Sequence, residues 1–144
     1  MKRAALALVV SAFVAATPIG LVAGVQAHPL LTAPFIEAGY APANVPVGGT
    51  TSLQFGIENI NSEAIGGVNF SDGLPSGLRV MSGTSSVCGG TLTLTKATGG
   101  VSLAGASIAA TDWCRFSVPV TAFEMGSQMS ITSAVKSSDT YDGN

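Results

Sequence analysis

Short runs of alternating apolar and polar residues, cut by pairs of turn residues, set the fold class of this chain. Gly48-Gly49, Gly66-Gly67, Asp72-Gly73, Ser76-Gly77, Ser82-Gly83, Gly89-Gly90 and Gly99-Gly100 punctuate it. Between them the spacing has period two. Leu53, Phe55 and Ile57 share one face of the Thr51–Glu58 run, and Ser52, Gln54, Gly56 and Glu58 the other. Val68 and Phe70 repeat the pattern, as do Leu92 and Leu94 with Thr91, Thr93 and Thr95 opposite. In the Trp113–Val120 run, Cys114, Phe116, Val118 and Val120 point inward, and Trp113, Arg115, Ser117 and Pro119 outward. Met129, Ile131, Ser133 and Val135 form a last, weaker inward stripe. Alternation of this kind marks strands with one packed and one wet face, and several of them with turns between predict an all-β sandwich or barrel. Pro119 has no N–H for a ladder, so it belongs at an edge or a bulge. After position 28 no window of about 11 residues or more carries a helical stripe. Short helical turns are expected only near 106–110 and 122–125.

Charge narrows the function classes. Charged residues make up 10% of the 144, against about 25% in an average soluble protein. A coiled coil or a disordered charged tail needs far more. The net charge of −2 leaves no basic surface for nucleic acid.

The first 27 residues read as a secretory signal peptide rather than as part of the fold. Lys2 and Arg3 form a positive start, Ala4 to Ala16 is almost unbroken apolar sequence, and Pro18 and Gly20 interrupt any helix. Val25-Gln26-Ala27 places small residues where a peptidase cleaves. The rival reading is an uncleaved anchor, since Ala4 to Val25 is 22 residues and about 20 span a bilayer. Cleavage after Ala27 leaves 28–144 as one domain, 117 residues with four basic and eight acidic side chains and a single core. That chain would have no membrane segment. Cys88 and Cys114 are then expected to form one disulfide, stapling the sandwich, as two cysteines in an exported chain usually do. Free thiols are the alternative.

No catalytic constellation emerges. The one histidine, His28, sits at the processed end, so no nucleophile has a placed base. Glu37, Glu58, Glu63, Asp72, Asp112, Glu124, Asp139 and Asp142 supply carboxylates, but the spacing singles out no pair. Asp72 alone is too little for calcium, which takes six to eight oxygen ligands, and the 139–144 stretch lacks the register of a calcium loop. No metal site and no cofactor is expected. Trp113 stands out among the aromatics, because an inward Cys114 turns its neighbour outward. Either a loop covers the ring, or it is a contact point for a sugar or a protein.

Several stretches in order resemble one family. They are Pro46-Val47-Gly48-Gly49-Thr50, Leu53-Gln54-Phe55-Gly56-Ile57-Glu58-Asn59, Val68-Asn69-Phe70-Ser71-Asp72-Gly73-Leu74-Pro75-Ser76-Gly77-Leu78, Cys88-Gly89-Gly90, Val101-Ser102-Leu103-Ala104-Gly105-Ala106 and Cys114-Arg115-Phe116-Ser117-Val118. Across residues 34–144 the chain resembles the repeat domain of unknown function of bacterial surface and secreted proteins, an immunoglobulin-like antiparallel β-sandwich. The resemblance implies that fold, the Cys88–Cys114 disulfide, a surface or extracellular setting and no catalytic activity. In the Leu74–Leu78 stretch the residues themselves suggest a tight turn, with Pro75 fixing φ, Gly77 at positive φ, Asp72 capping the turn, and both leucines in the core. Relatives carry one more strand after a turn like Gly143-Asn144. The resemblance therefore implies a sandwich lacking its last strand, with an open sheet edge able to take a strand from another protein chain. The expected function is a structural or adhesive module without catalysis. The alternative is a carbohydrate- or protein-binding module that uses Trp113.

Overall fold

The computed structural model describes residues 30–140. The signal peptide expected over 1–27, His28, Asp142 and the Gly143-Asn144 turn lie outside the described residues. Nine strands form: β1 (Phe35–Ala41), β2 (Thr50–Glu58), β3 (Ile65–Gly73), β4 (Leu78–Arg79), β5 (Gly83–Val87), β6 (Gly90–Thr95), β7 (Gly100–Ile108), β8 (Trp113–Ala122) and β9 (Ile131–Thr132). They pair antiparallel in two sheets, in the orders β1-β2-β8-β4 and β5-β6-β7-β3-β9, packed as a β-sandwich. No described segment is helical. Residues 106–108 end β7, and Ala122 ends β8. The alanines that suggested helical turns instead follow a bulge at Gly105 (φ 72°) or precede irregular chain.

The alternating runs form the centre of the sandwich. Leu53, Phe55 and Ile57 of β2 pack inward beside Cys114, Val118 and Val120 of β8, against Val68 and Phe70 of β3 and Val101 and Leu103 of β7. The β2–β8 register sets Phe55 opposite Phe116 and Ile57 opposite Cys114, so both inward stripes lie on one face. Pro119 pairs with Ser52 on one side only, because β4 reaches no further than Thr121 and Ala122. Its missing N–H therefore costs no ladder bond.

Cys88 and Cys114 are bonded, with Cα atoms 6.0 Å apart. Cys88 lies in the two-residue turn of the β5–β6 hairpin and Cys114 in β8, so the bond ties one sheet to the other. Cys88 (φ 49°) and Gly89 (φ 75°) are both left-handed, the combination whose twist suits a two-residue hairpin.

Three local expectations are corrected. Leu74 and Leu78 do reach the core, and Leu78 N–H donates to Pro75 O at 3.0 Å. Gly77, however, is not at positive φ. A Cβ there would stand 2.6 Å from the end of the Gln128 side chain, which would have to shift to admit it. Asp72 does not cap that turn. It is an inward residue of β3, 2% exposed, and accepts a hydrogen bond from the Thr132 hydroxyl of β9. The stripe at 129–135 is out of phase: Met129 and Ile131 are 82% and 78% exposed. Thr132 faces inward instead, and the phase shifts before Val135 and Ser137 become buried. From Ser133 on, the chain holds β3 only at intervals: Ser133 N–H donates to Ser71 O, Lys136 and Asn69 exchange both backbone bonds, and Ser138 N–H donates to Gly66 O. Such intermittent pairing does not enforce strict alternation.

Candidate functional site

Two places collect polar or aromatic side chains without being plain core or plain surface. The first is the outer face of the β1-β2-β8-β4 sheet. Register fixes its rows: Phe35, Glu58 and Trp113 lie side by side, then Glu37, Gly56 and Arg115, then Gly39, Gln54 and Ser117. Trp113 does point away from the core, and its side chain is half-buried on that face. Its ring lies against Gly56, where an added Cβ would stand 3.2 Å from the ring. The Arg115 guanidinium sits 4.2 Å from the ring centroid. An exposed cation–π contact of this kind is worth about 0.5–1 kcal/mol. Arg115 also approaches Glu37 at 4.0 Å, a solvated pair of little energetic weight. Two glycines, Gly39 and Gly56, leave a shallow groove of 540 Å³ floored by β2 and walled by Glu37, Gln54, Arg115 and Ser117. Phe35, 57% exposed, stands in the same row as Trp113. The face thus offers two rings and several hydrogen-bonding groups on a rigid sheet.

The second place is the flank between β1 and β9. Tyr40 enters the inter-sheet space from β1 and Asp72 from β3. Asp72 Oδ2 is bonded to Thr132, while Oδ1 and the Tyr40 hydroxyl are buried without a hydrogen-bond partner. Burial pushes the Tyr40 phenol up. The nearby Ser130 hydroxyl opposes this, outside hydrogen-bond geometry, and the Asp72 charge adds to the rise. A cleft of 390 Å³ opens here between Ala38, Leu53, Met129 and Thr132.

The remaining acids do structural work or stay solvated. Asp139 Oδ2 accepts the Gly66 N–H at 2.6 Å, and Asp112 Oδ1 accepts the N–H of Trp113 at 2.8 Å. Glu37 and Glu58 share the outer face on adjacent strands, an arrangement the sequence spacing did not suggest because their strands had to be paired first. No group of three or more His, Cys, Asp or Glu gathers at metal-ligand distance among the described residues.

Sequence reasoning missed a polar plug. Asn59 is fully buried, and its amide donates to Glu63 O, Ile108 O and Ala109 O at 2.8, 3.2 and 2.9 Å. Its Oδ1 accepts from Asn61, which in turn bonds both backbone groups of Thr32. The pair locks the loop after β2 to the end of β7 and to the chain before β1. The Asn-x-Asn spacing after a strand was its only signal, and asparagine usually marks a solvated turn.

The chain belongs to a family described as a domain of unknown function, DUF7933, whose model matches residues 34–144. No curated protein matches the chain.

Proposed function

We propose that this DUF7933 domain is a non-catalytic structural or adhesive module, exported by a bacterium and working at the cell surface or outside the cell. The observation that carries the reading is the Cys88–Cys114 disulfide joining the two sheets. Such a bond is consistent with an extracellular location. The resemblance to repeat domains of surface and secreted proteins supports the same setting. So does the apolar N-terminal segment read as a signal peptide. A disulfide-tied sandwich with few charges suits a mechanical or contact role, in which a rigid face is presented and nothing is turned over.

Expression of the full chain in a bacterial host tests the reading. The protein should reach the envelope or medium, begin at His28 and contain no free thiol. It should also be recovered with envelope partners in a cross-linking pull-down. Retention in the cytoplasm with reduced cysteines and Met1 intact overturns it.

A second reading, carbohydrate binding, rests on the Trp113 face. Aromatic rings over a sheet with Glu37, Gln54 and Arg115 beside them match what a sugar's apolar face and hydroxyls need. A glycan array decides it: specific signals that Trp113→Ala removes without changing the melting temperature favour this reading over the first.

A further inference from the structure

The flank between β1 and β9 is incomplete in its polar accounting and open in shape. Asp72 is a carboxylate that is 2% exposed, and its Oδ1 has no partner. Native interiors rarely leave such a group unanswered. Two cavities, of 390 and 640 Å³, adjoin over this region, since Tyr40 and Gln128 line both. Met125 lines one and Met129 the other, both strongly exposed, and Ile131 of β9 is exposed next in sequence to Thr132, which lines the smaller cavity. Glu124 is the one charged residue lining either cavity, and neither is lined by a lysine or arginine. β9 is the outermost strand on this side among the described residues, paired only with β3.

We propose that this cleft docks an extended segment of a partner polypeptide, apolar along its length and carrying one lysine or arginine. The inference rests on reading the domain as an interaction module. The partner's backbone would pair along β9, as an added strand does at an exposed sheet edge. Its apolar side chains would cover Met129 and Ile131. Its cation would sit over the ring of Tyr40, in the field of the buried Asp72 carboxylate and beside Glu124. Charge complementarity selects this occupant: the lining carries one carboxylate, Glu124, and no cation, and the Asp72 carboxylate is buried behind Thr132, so a segment with one positive charge is favoured.

The test uses the full chain and a labelled, end-capped octapeptide of alternating valine and threonine with one central lysine. A second peptide carries glutamate in place of the lysine. Fluorescence anisotropy should show saturable binding of the lysine peptide, about tenfold or more tighter than the glutamate peptide. Asp72→Asn should shrink that preference to about threefold or less, and Ile131→Asp should weaken both peptides by about tenfold. Ile131 is exposed, so that variant keeps its fold; if Asp72→Asn does not fold, Glu124→Gln replaces it and should reduce the same preference. No saturable binding up to about 1 mM, equal binding of the two peptides, or indifference to Ile131→Asp overturns the proposal. Envelope association measured in parallel separates the two ideas. If it survives while peptide binding fails, only the docking site falls.

Discussion

Phe70 and Asp72 are consecutive inward residues of β3, yet they meet opposite surroundings. Phe70 joins a ring cluster across both sheets, with its centroid 5.1 Å from Phe55 and 6.2 Å from Phe116. Phe55 and Phe116 stack at 5.1 Å and 23°. One inward position further along, Asp72 faces Tyr40 and Thr132, two polar atoms lack partners, and the cleft begins. The same strand therefore closes the core at its middle and leaves it open at its end. Burial alone does not tell these places apart, since both side chains are almost fully covered. What differs is whether the surrounding atoms suit the buried group.

The largest expected effect breaks the closed region. Phe70→Ala should cost about 3–5 kcal/mol in urea unfolding, because both neighbouring rings lose a face and cannot collapse into the gap. A cost under about 1 kcal/mol would mean that the centre is as loose as the flank. The next is the staple between the sheets. Its 26-residue separation gives a chain-entropy contribution of about 3.5 kcal/mol. Reduction, or the Cys88→Ser, Cys114→Ser double variant, should lower stability by about 2–4 kcal/mol. An unchanged denaturation midpoint would show that the sheets hold each other without the bond.

The two regions also differ in how far the sequence reveals them. β2, β8 and the Val68–Phe70 part of β3 are legible because central antiparallel strands must alternate to bury one face. Edge strands carry less of that signal. β5 has four exposed residues in five and no apolar run. β1 exposes Phe35, Ala38 and Gly39 alike. Asp72 is misread for a specific reason: a carboxylate before glycine is ordinarily a turn residue, and nothing in the one-dimensional pattern announces that Thr132 will answer it from sixty positions away. The Trp113 face was legible as an outward residue, but its company of Glu37 and Phe35 required the β1–β2 register.

A smaller effect probes the open region directly. Asp72→Asn keeps an acceptor for the Thr132 hydroxyl and removes a buried charge whose second oxygen is unanswered. Stability at neutral pH should rise by about 1 kcal/mol. A loss of more than about 2 kcal/mol would mean that the carboxylate is well satisfied and that the flank is not the mismatch described above.

The smallest effect concerns Tyr40 and is read most clearly through pH. Its hydroxyl has no partner in hydrogen-bond geometry, so Tyr40→Phe should change stability at neutral pH by no more than about 0.5 kcal/mol. The phenol's pKa is raised, first by burial and further by Asp72, against a weaker opposing pull from Ser130. The folded state then holds the proton more tightly than the unfolded chain, whose tyrosine titrates at about 10. Stability tied to the neutral phenol is fully present below that value and is lost as pH rises through the higher folded value. The wild type should therefore lose stability above about pH 10 more steeply than Tyr40→Phe, and the two curves should coincide below it. Because the side chain is only partly buried, this difference is small. Parallel curves across the alkaline range would show that Tyr40 is as well solvated as a surface tyrosine, and that water reaches its hydroxyl more freely than the burial of that atom suggests.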